Sequence, residues 1–287
     1  KRDWSSDVCS SDLSAWRFPY TSSELTPGYA ASPLIDGGLA IASLGATAYA
    51  FHDNHWYGEL GGYQSLSNST LDKLNVDTGD KIDGTAAYWR LSYTDYPGTS
   101  DFHLGLFGLR ANLLPGGQSG PTDDYNDIGI DGSYTFLGTQ RHVATLNGSY
   151  THEKRDLNAS FAAGDAAQSD GDLNRLDLSA SYYFDKTYGF TLGLFDIDGN
   201  SDNALYNSGE ADTGSIEGSP NTRGYTLQAD WTPFGKSDSW GEPNVNLRLG
   251  LQYTGYSKFN GADSNYDGLG RDASDNNTLY GFAWLAF

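Results

Sequence analysis

From Leu39 onward the chain repeats one local pattern, in which about ten residues of alternating apolar and polar side chains lead into a very short or a long polar connection. Alternation with a period of two puts every second side chain on one face, so each such segment is a strand with an oily side and a polar side. The clearest case sets Val245, Leu247, Leu249, Leu251 and Tyr253 against Asn246, Arg248, Gly250, Gln252 and Thr254. The stretch Leu176 to Phe184 repeats it, with Leu176, Leu178, Ala180, Tyr182 and Phe184 opposed to Arg175, Asp177, Ser179, Ser181 and Tyr183. Ile128, Ile130, Tyr134 and Phe136 likewise oppose Asp131, Ser133 and Thr135; Ala87, Trp89, Leu91 and Tyr93 oppose Tyr88, Arg90 and Ser92; Tyr225, Leu227, Ala229 and Trp231 oppose Thr226, Gln228 and Asp230.

The pattern predicts about eleven strands, starting near residues 39, 56, 85, 102, 127, 143, 175, 189, 224, 245 and 278. Each is near the ~9–11 residues that a tilted membrane strand needs. Connections alternate in length: short at His52–Asn54, Asp95–Ser100, Gly138–Arg141 and Asp185–Tyr188, somewhat longer at Phe234–Pro243, and long at Leu66–Asp83, Leu113–Asn126, Glu153–Asp172, Gly199–Thr222 and Lys258–Asn277. Short turns on one side and long loops on the other are the signature of an antiparallel, up-and-down transmembrane β-barrel. A water-soluble sandwich also alternates, but it would bring the charged positions Arg90, Asp131, Asp177, Asp230 and Arg248 into its dry core or leave its outer face oily. The pore-lining residues expected from parity are Glu59, Arg90, Asp131, Arg175, Asp177, Asp230 and Arg248.

Composition sharpens this. No stretch reads as a helical span: the nearest, Gly37 to Phe51, is short of ~20 apolar residues and reads better as a strand, while mean hydropathy is negative. The abundance of Tyr and Trp suits water–lipid boundaries, with 20 Tyr and 7 Trp in 287 residues. The net charge of −20 excludes nucleic acid as a partner, because nothing here neutralises phosphates, and favours cations instead. One cysteine, Cys9, leaves no intrachain disulfide and no Cys-x-x-Cys-His haem attachment in this chain.

Residues 1–13 (KRDWSSDVCSSDL) lack alternation and read as an unstructured leader resembling a sequencing or cloning scar; residues 14–287 read as one outer-membrane barrel domain. The final strand ends on Phe287, the aromatic terminus by which outer-membrane barrels are recognised for assembly. The missing signal peptide and the odd strand count suggest the C-terminal part of a larger barrel.

Five strings carry a family resemblance: Tyr253 to Ala262, Ser264 to Arg271 and Ala273 to Tyr280, together with Pro33 to Gly38 and Ser119 to Asp123. They resemble a proteobacterial outer-membrane β-barrel family often labelled cytochrome c, whose members carry an N-terminal c-type haem motif ahead of a barrel. The resemblance runs from about Pro33 to Phe287 and lacks the haem segment. It implies no cofactor in this chain, and a c-type haem only in a missing N-terminal part, with periplasmic cytochromes as partners of an electron-transfer sheath.

The candidate sites are few. The five long connections with Asp127 hold 20 of the 37 acidic residues and 6 of the 17 basic ones, which suggests either a cation-attracting mouth or a solvated surface bridged by divalent cations beside lipopolysaccharide. Asp263, Asn265 and Asp267, followed by Gly268, match the first half of an EF-hand-type Ca²⁺ loop, but the twelfth position is Ser274 rather than Glu. Asp/Asn-rich turns often mean only turn chemistry. His52, His55 and His152 fall at strand ends without a third ligand at a telling spacing, as interfacial histidines would. A barrel-embedded hydrolase needs a Ser/His/Asp or paired-carboxylate constellation across strands, which nothing here suggests, so no enzyme is expected. The sequence reading is a porin-like conduit in the outer membrane, inserted by the barrel assembly machinery, with the haem sheath as alternative.

Overall fold

A computed structural model describes residues 31–36, 43–74, 79–138, 141–206, 214–236 and 245–286. The leader at residues 1–13, the expected strand start at Leu39 and the terminal Phe287 lie outside them. The fold is all-β and antiparallel. Strands β1 (Ser43–His52), β2 (Trp56–Ser65), β4 (Ala86–Asp95), β5 (Ser100–Leu114), β6 (Asp123–Phe136), β7 (His142–Leu157), β8 (Asp170–Phe184), β9 (Tyr188–Gly199), β10 (Thr222–Trp231), β11 (Asn246–Lys258) and β12 (Thr278–Ala286) pair each with the next in chain order. A two-residue strand, β3 (Lys81–Ile82), adds to β5 beside β4. This up-and-down order is that of a membrane barrel. Among the described residues β1 and β12 do not pair, so the sheet is not closed.

Burial follows the expected parity. Along β4, Ala86, Tyr88, Arg90 and Ser92 are buried on the inner face while Ala87, Trp89 and Leu91 are exposed on the outer one. Outward aromatics gather at the short-turn end: Trp56 packs on Tyr93 with ring centroids 4.9 Å apart, and Phe102, Tyr134, Phe136, Tyr182, Tyr188, Phe190 and Trp231 continue the girdle. Amphipathic rings at such a level suit a headgroup boundary. No helix among the described residues is long and apolar enough to cross a membrane.

The hairpins explain themselves locally. Asp53 and Asn54 (φ 51° and 58°) and Asp185 and Lys186 (φ 56° and 54°) hold a left-handed backbone at the centre of turns closed by His55 N to His52 O at 3.1 Å and Thr187 N to Phe184 O at 3.0 Å, within three-residue connections. Asn and Asp tolerate this conformation better than other residues with a Cβ.

Two expected loops prove shorter. The connection expected at Leu113–Asn126 contracts to residues 115–122, and that at Glu153–Asp172 to residues 158–169, which include helix α2 (Asn158–Ala163). Helix α1 (Asn68–Leu74) lies in the connection expected at Leu66–Asp83. Strands β5 to β8 run 14 to 16 residues, beyond the ~9–11 that suffice to cross lipid. Their ladders continue because each added pair satisfies backbone donors and acceptors that would otherwise compete for water. Asp127, counted with the loops in the sequence, is consequently an inner-face residue of β6, only 2% exposed.

In these extensions the alternation reverses sense. On β9 the outer face runs Tyr188, Phe190, Leu192, Leu194 and then Asp196 and Asp198; the inner face runs Gly189, Thr191, Gly193 and then Phe195 and Ile197. On β5 the outer Leu104 and Leu106 give way to Arg110 and Asn112, while Phe107, Leu109, Ala111 and Leu113 are buried inside. Cross-strand pairing lines up this transition between neighbours: Arg110 opposes Asn126, Asn126 opposes Lys154, and Asp196 opposes Arg223 with an ion pair of 2.6 Å. Below that line the outside is apolar; above it, the inside is.

Candidate functional site

The site is the inner wall, whose polar side chains form three networks. In the first, Arg90 of β4 reaches across β5 to Asp131 of β6, with Nη2 at 2.9 Å from Oδ1 and 2.7 Å from Oδ2. The intervening inward position of β5 is Gly105, and it is glycine for a reason: a Cβ there would lie 2.2 Å from Asp131 Oδ1 and 2.7 Å from Arg90 Nη2. Phe107 covers the guanidinium, with its ring centroid 5.8 Å from Cζ.

His103 joins this pair and creates a Thr94–His103–Asp131 line of the kind a hydrolase uses. Thr94 Oγ1 is 3.1 Å from His103 Nδ1, and His103 Nε2 is 3.6 Å from Asp131 Oδ1. However, Arg90 Nη2 stands 3.0 Å from His103 Nε2. A guanidinium only donates, so Nε2 of a neutral ring accepts and the proton resides on Nδ1, facing Thr94. In the protonated ring both nitrogens donate. Neither form takes a proton from the Thr94 hydroxyl, so this line does not activate a nucleophile.

The second network lies on β8 to β11. Arg248 Nε donates to Asp230 at 2.8 Å and its Nη2 to the Tyr183 hydroxyl at 3.0 Å. Gln228 Nε2 donates to the same carboxylate at 3.0 Å, and Gln252 Nε2 donates to Gln228 Oε1 at 2.9 Å. Glu59 on β2 accepts from the Tyr57 hydroxyl at 3.0 Å.

The third network occupies the long-loop end. Glu153 and Asp127 are opposite one another on β7 and β6, and both are buried. Arg155 donates to Glu153 and, through Nη1, to the Tyr206 hydroxyl at 2.5 Å. Arg175 and Asp177 pair at 2.6 Å. The segment Ala31–Asp36 rests against this network: Leu34 N donates to Glu153, Ile35 N to Asp127 Oδ2 at 2.7 Å, Arg175 Nη1 to Ser32 Oγ at 3.2 Å, and Asp36 stands 3.8 Å from Arg175. Leu34 is buried among Ile82, Ala86, Tyr88, Leu109, Ala111 and Leu113, and Ala31 among Leu173, Ile197 and Tyr206.

All seven expected wall residues, Glu59, Arg90, Asp131, Arg175, Asp177, Asp230 and Arg248, lie on the inner face, and the structure pairs six of them as Arg90–Asp131, Arg175–Asp177 and Arg248–Asp230. The sequence reading missed Asp127, Glu153 and Arg155 because it placed them in loops. Both faces of this stretch are polar, Thr151, Glu153 and Arg155 inside against His152, Lys154 and Asp156 outside, so apolar/polar alternation carried no signal there.

The residues of the Ca²⁺-loop match close turns. Asn265 Oδ1 accepts from Gly270 N at 2.6 Å, Asp267 Oδ1 from Leu269 N at 2.8 Å and Arg271 N at 3.2 Å, and Asp263 Oδ1 from Ser264 Oγ at 3.4 Å. Between them Tyr266 is fully buried against Phe259, so the loop is built around an aromatic core. Among the described residues no three His, Cys, Asp or Glu side chains group as a metal site. The three histidines at strand ends have local partners: His55 Nδ1 lies 2.7 Å from Thr94 O, His152 Nδ1 lies 2.8 Å from Asn174 Oδ1, and His52 Nε2 lies 3.0 Å from Asp53.

Asp202 organises a long loop. Burial raises its pKa, but backbone N–H donors from Leu205, Ala167, Gln168 and Ala204 outweigh burial and hold it below the usual carboxylate range.

No family model matches the chain, and no curated protein matches it. Among solved structures it is similar to a NanC porin in a rhombohedral crystal form, at 9% identity over 85% of this chain and 92% of that one, with a TM-score of 0.35. So loose a superposition has no bearing on function.

Proposed function

We propose that the protein is an outer-membrane porin-like conduit that passes small solutes along a polar inner wall. The observation that supports this is the two-faced sheet: an outward band of Leu, Ile and aromatics with a girdle at the short-turn end, backed by inward Arg, Asp, Glu and Gln. A soluble fold would bury the first set, and a sheet between two lipid phases would have no use for the second. The wall mixes signs in paired form, so it discriminates weakly between ions. The exposed loop carboxylates Asp263, Asp272 and Asp275 and the half-buried Asp267 add a negative field at the mouth.

The test is ion conductance in planar bilayers. Modest cation selectivity is expected at low salt, fading as the Debye length falls from about 8 Å at physiological ionic strength to about 3 Å at 1 M. Selectivity should shrink when Asp263, Asp267, Asp272 and Asp275 are all changed to Asn, which keeps their turn-closing oxygens. Anion selectivity would contradict the acidic-mouth reading. A folded, inserted barrel that conducts nothing would overturn the conduit and favour the haem-sheath alternative.

A further inference from the structure

We infer that Ala31–Asp36 is an internal latch, a segment laid along the inner wall at the long-loop end that narrows the passage until it is displaced. This rests on the conduit reading for its effect on flow, but its docking stands on geometry alone. At one end Ala31 packs on Leu173 of β8, Ile197 of β9 and Tyr206; further along, Leu34 enters the pocket of β3, β4 and β5. Six residues reach at most about 20 Å, and the segment uses that reach to run along the inner face from the β3–β5 pocket to β8 and β9. Between its ends it is tied down polarly, through Leu34 N and Ile35 N to the carboxylates of Glu153 and Asp127, and through Ser32 and Asp36 to Arg175.

The wall residues look built for this occupant. Glu153 and Asp127 are opposed carboxylates buried to 0% and 2% exposure, positions at which unsatisfied charge is costly. Two backbone N–H groups from the segment meet one oxygen of each, and Arg155 meets the other oxygen of Glu153. The contact also differs from the rest of the interior. The inner wall lower down is polar and offers nothing for a leucine, whereas the loop-end pocket is apolar and is closed by Leu34 itself. Because the latch adds no strand to the sheet, it can leave without breaking a ladder, which makes it a local opening rather than an unfolding event.

Two measurements test the latch, both in Cys9→Ser protein reconstituted in lipid. First, Leu34→Cys should react with a water-soluble maleimide at least about tenfold more slowly than Ser264→Cys on the exposed loop, since labelling must wait for the segment to open. Equal rates would overturn the docking. Second, Leu34→Asp puts a carboxyl into the apolar β3–β5 pocket without changing the wall, and should eject the segment. Single-channel conductance is then expected to rise by about twofold or more, with the heat-modifiable gel mobility of the folded barrel unchanged. A conducting parent whose conductance does not change on Leu34→Asp would overturn the narrowing role. Silence of both proteins would overturn the conduit reading, while the labelling ratio would still decide whether the segment docks.

Discussion

The short-turn half and the long-loop half of the sheet use the same strands and the same period of two, yet they place their apolar residues on opposite faces. On β9, Leu192 and Leu194 look outward while the next two steps bury Phe195 and Ile197 inward. Nothing in the strand geometry changes between them. On the proposed outer-membrane reading the surroundings change: below the transition the outside is lipid and apolar atoms belong there, and above it the outside is water, so the apolar atoms withdraw into a small core of the soluble kind. The lower interior is left to charge pairs, and the upper interior to a leucine-lined pocket in which a peptide segment lodges.

The comparison is broken most severely from the inside of the lower half. Asp131→Ala strands the Arg90 guanidinium, 5% exposed, without its carboxylate, and removing one partner of a buried pair costs about 3–5 kcal/mol. Urea unfolding in phospholipid vesicles should show that loss. The double variant Arg90→Leu/Asp131→Leu should recover much of it, and a double variant as unstable as the single one would show that the pair is not the main term.

A second test stays on one face of one strand. Ile130 and Asn126 both face outward on β6, one below and one above the transition. Ile130→Arg should cost about 2–4 kcal/mol as a charge brought into the lipid band, whereas Asn126→Arg should fall within about 1 kcal/mol of the parent. Equal costs would place the membrane boundary elsewhere.

The smallest effect is expected at the loops. Asp202 has its folded pKa below the unfolded value, so the stability it lends is present in full above the unfolded pKa, near 3.9 for Asp, and is lost as pH falls through the folded pKa. Amide protection factors at Ala167, Gln168, Ala204 and Leu205 should therefore hold from neutral pH to about pH 4 and fall below it, with the girdle strands unaffected. Loss of protection already near pH 6 would assign the loop's order to something other than this carboxylate.

Period-two alternation, legible in a dozen residues at a time, determined the strands, their order and the inward positions of Arg90, Asp131, Arg175, Asp177, Asp230, Arg248 and Glu59, because in a meander each strand's neighbour is the next in the chain. Turn residues such as Asp53-Asn54 and Asp185-Lys186 fixed the hairpins for the same local reason. What the tertiary structure alone decided is everything that depends on which strand end meets which distant segment. The extension of β5 to β8 into the expected loops, the turns of the Asp263–Asp267 loop around buried Tyr266, the fit of Gly105 between Arg90 and Asp131, and the lodging of Leu34 against Glu153 all join residues far apart in sequence or in different surroundings. A local pattern records that a side chain has a face; only the assembled sheet determines whether that face meets lipid, water or another part of the chain.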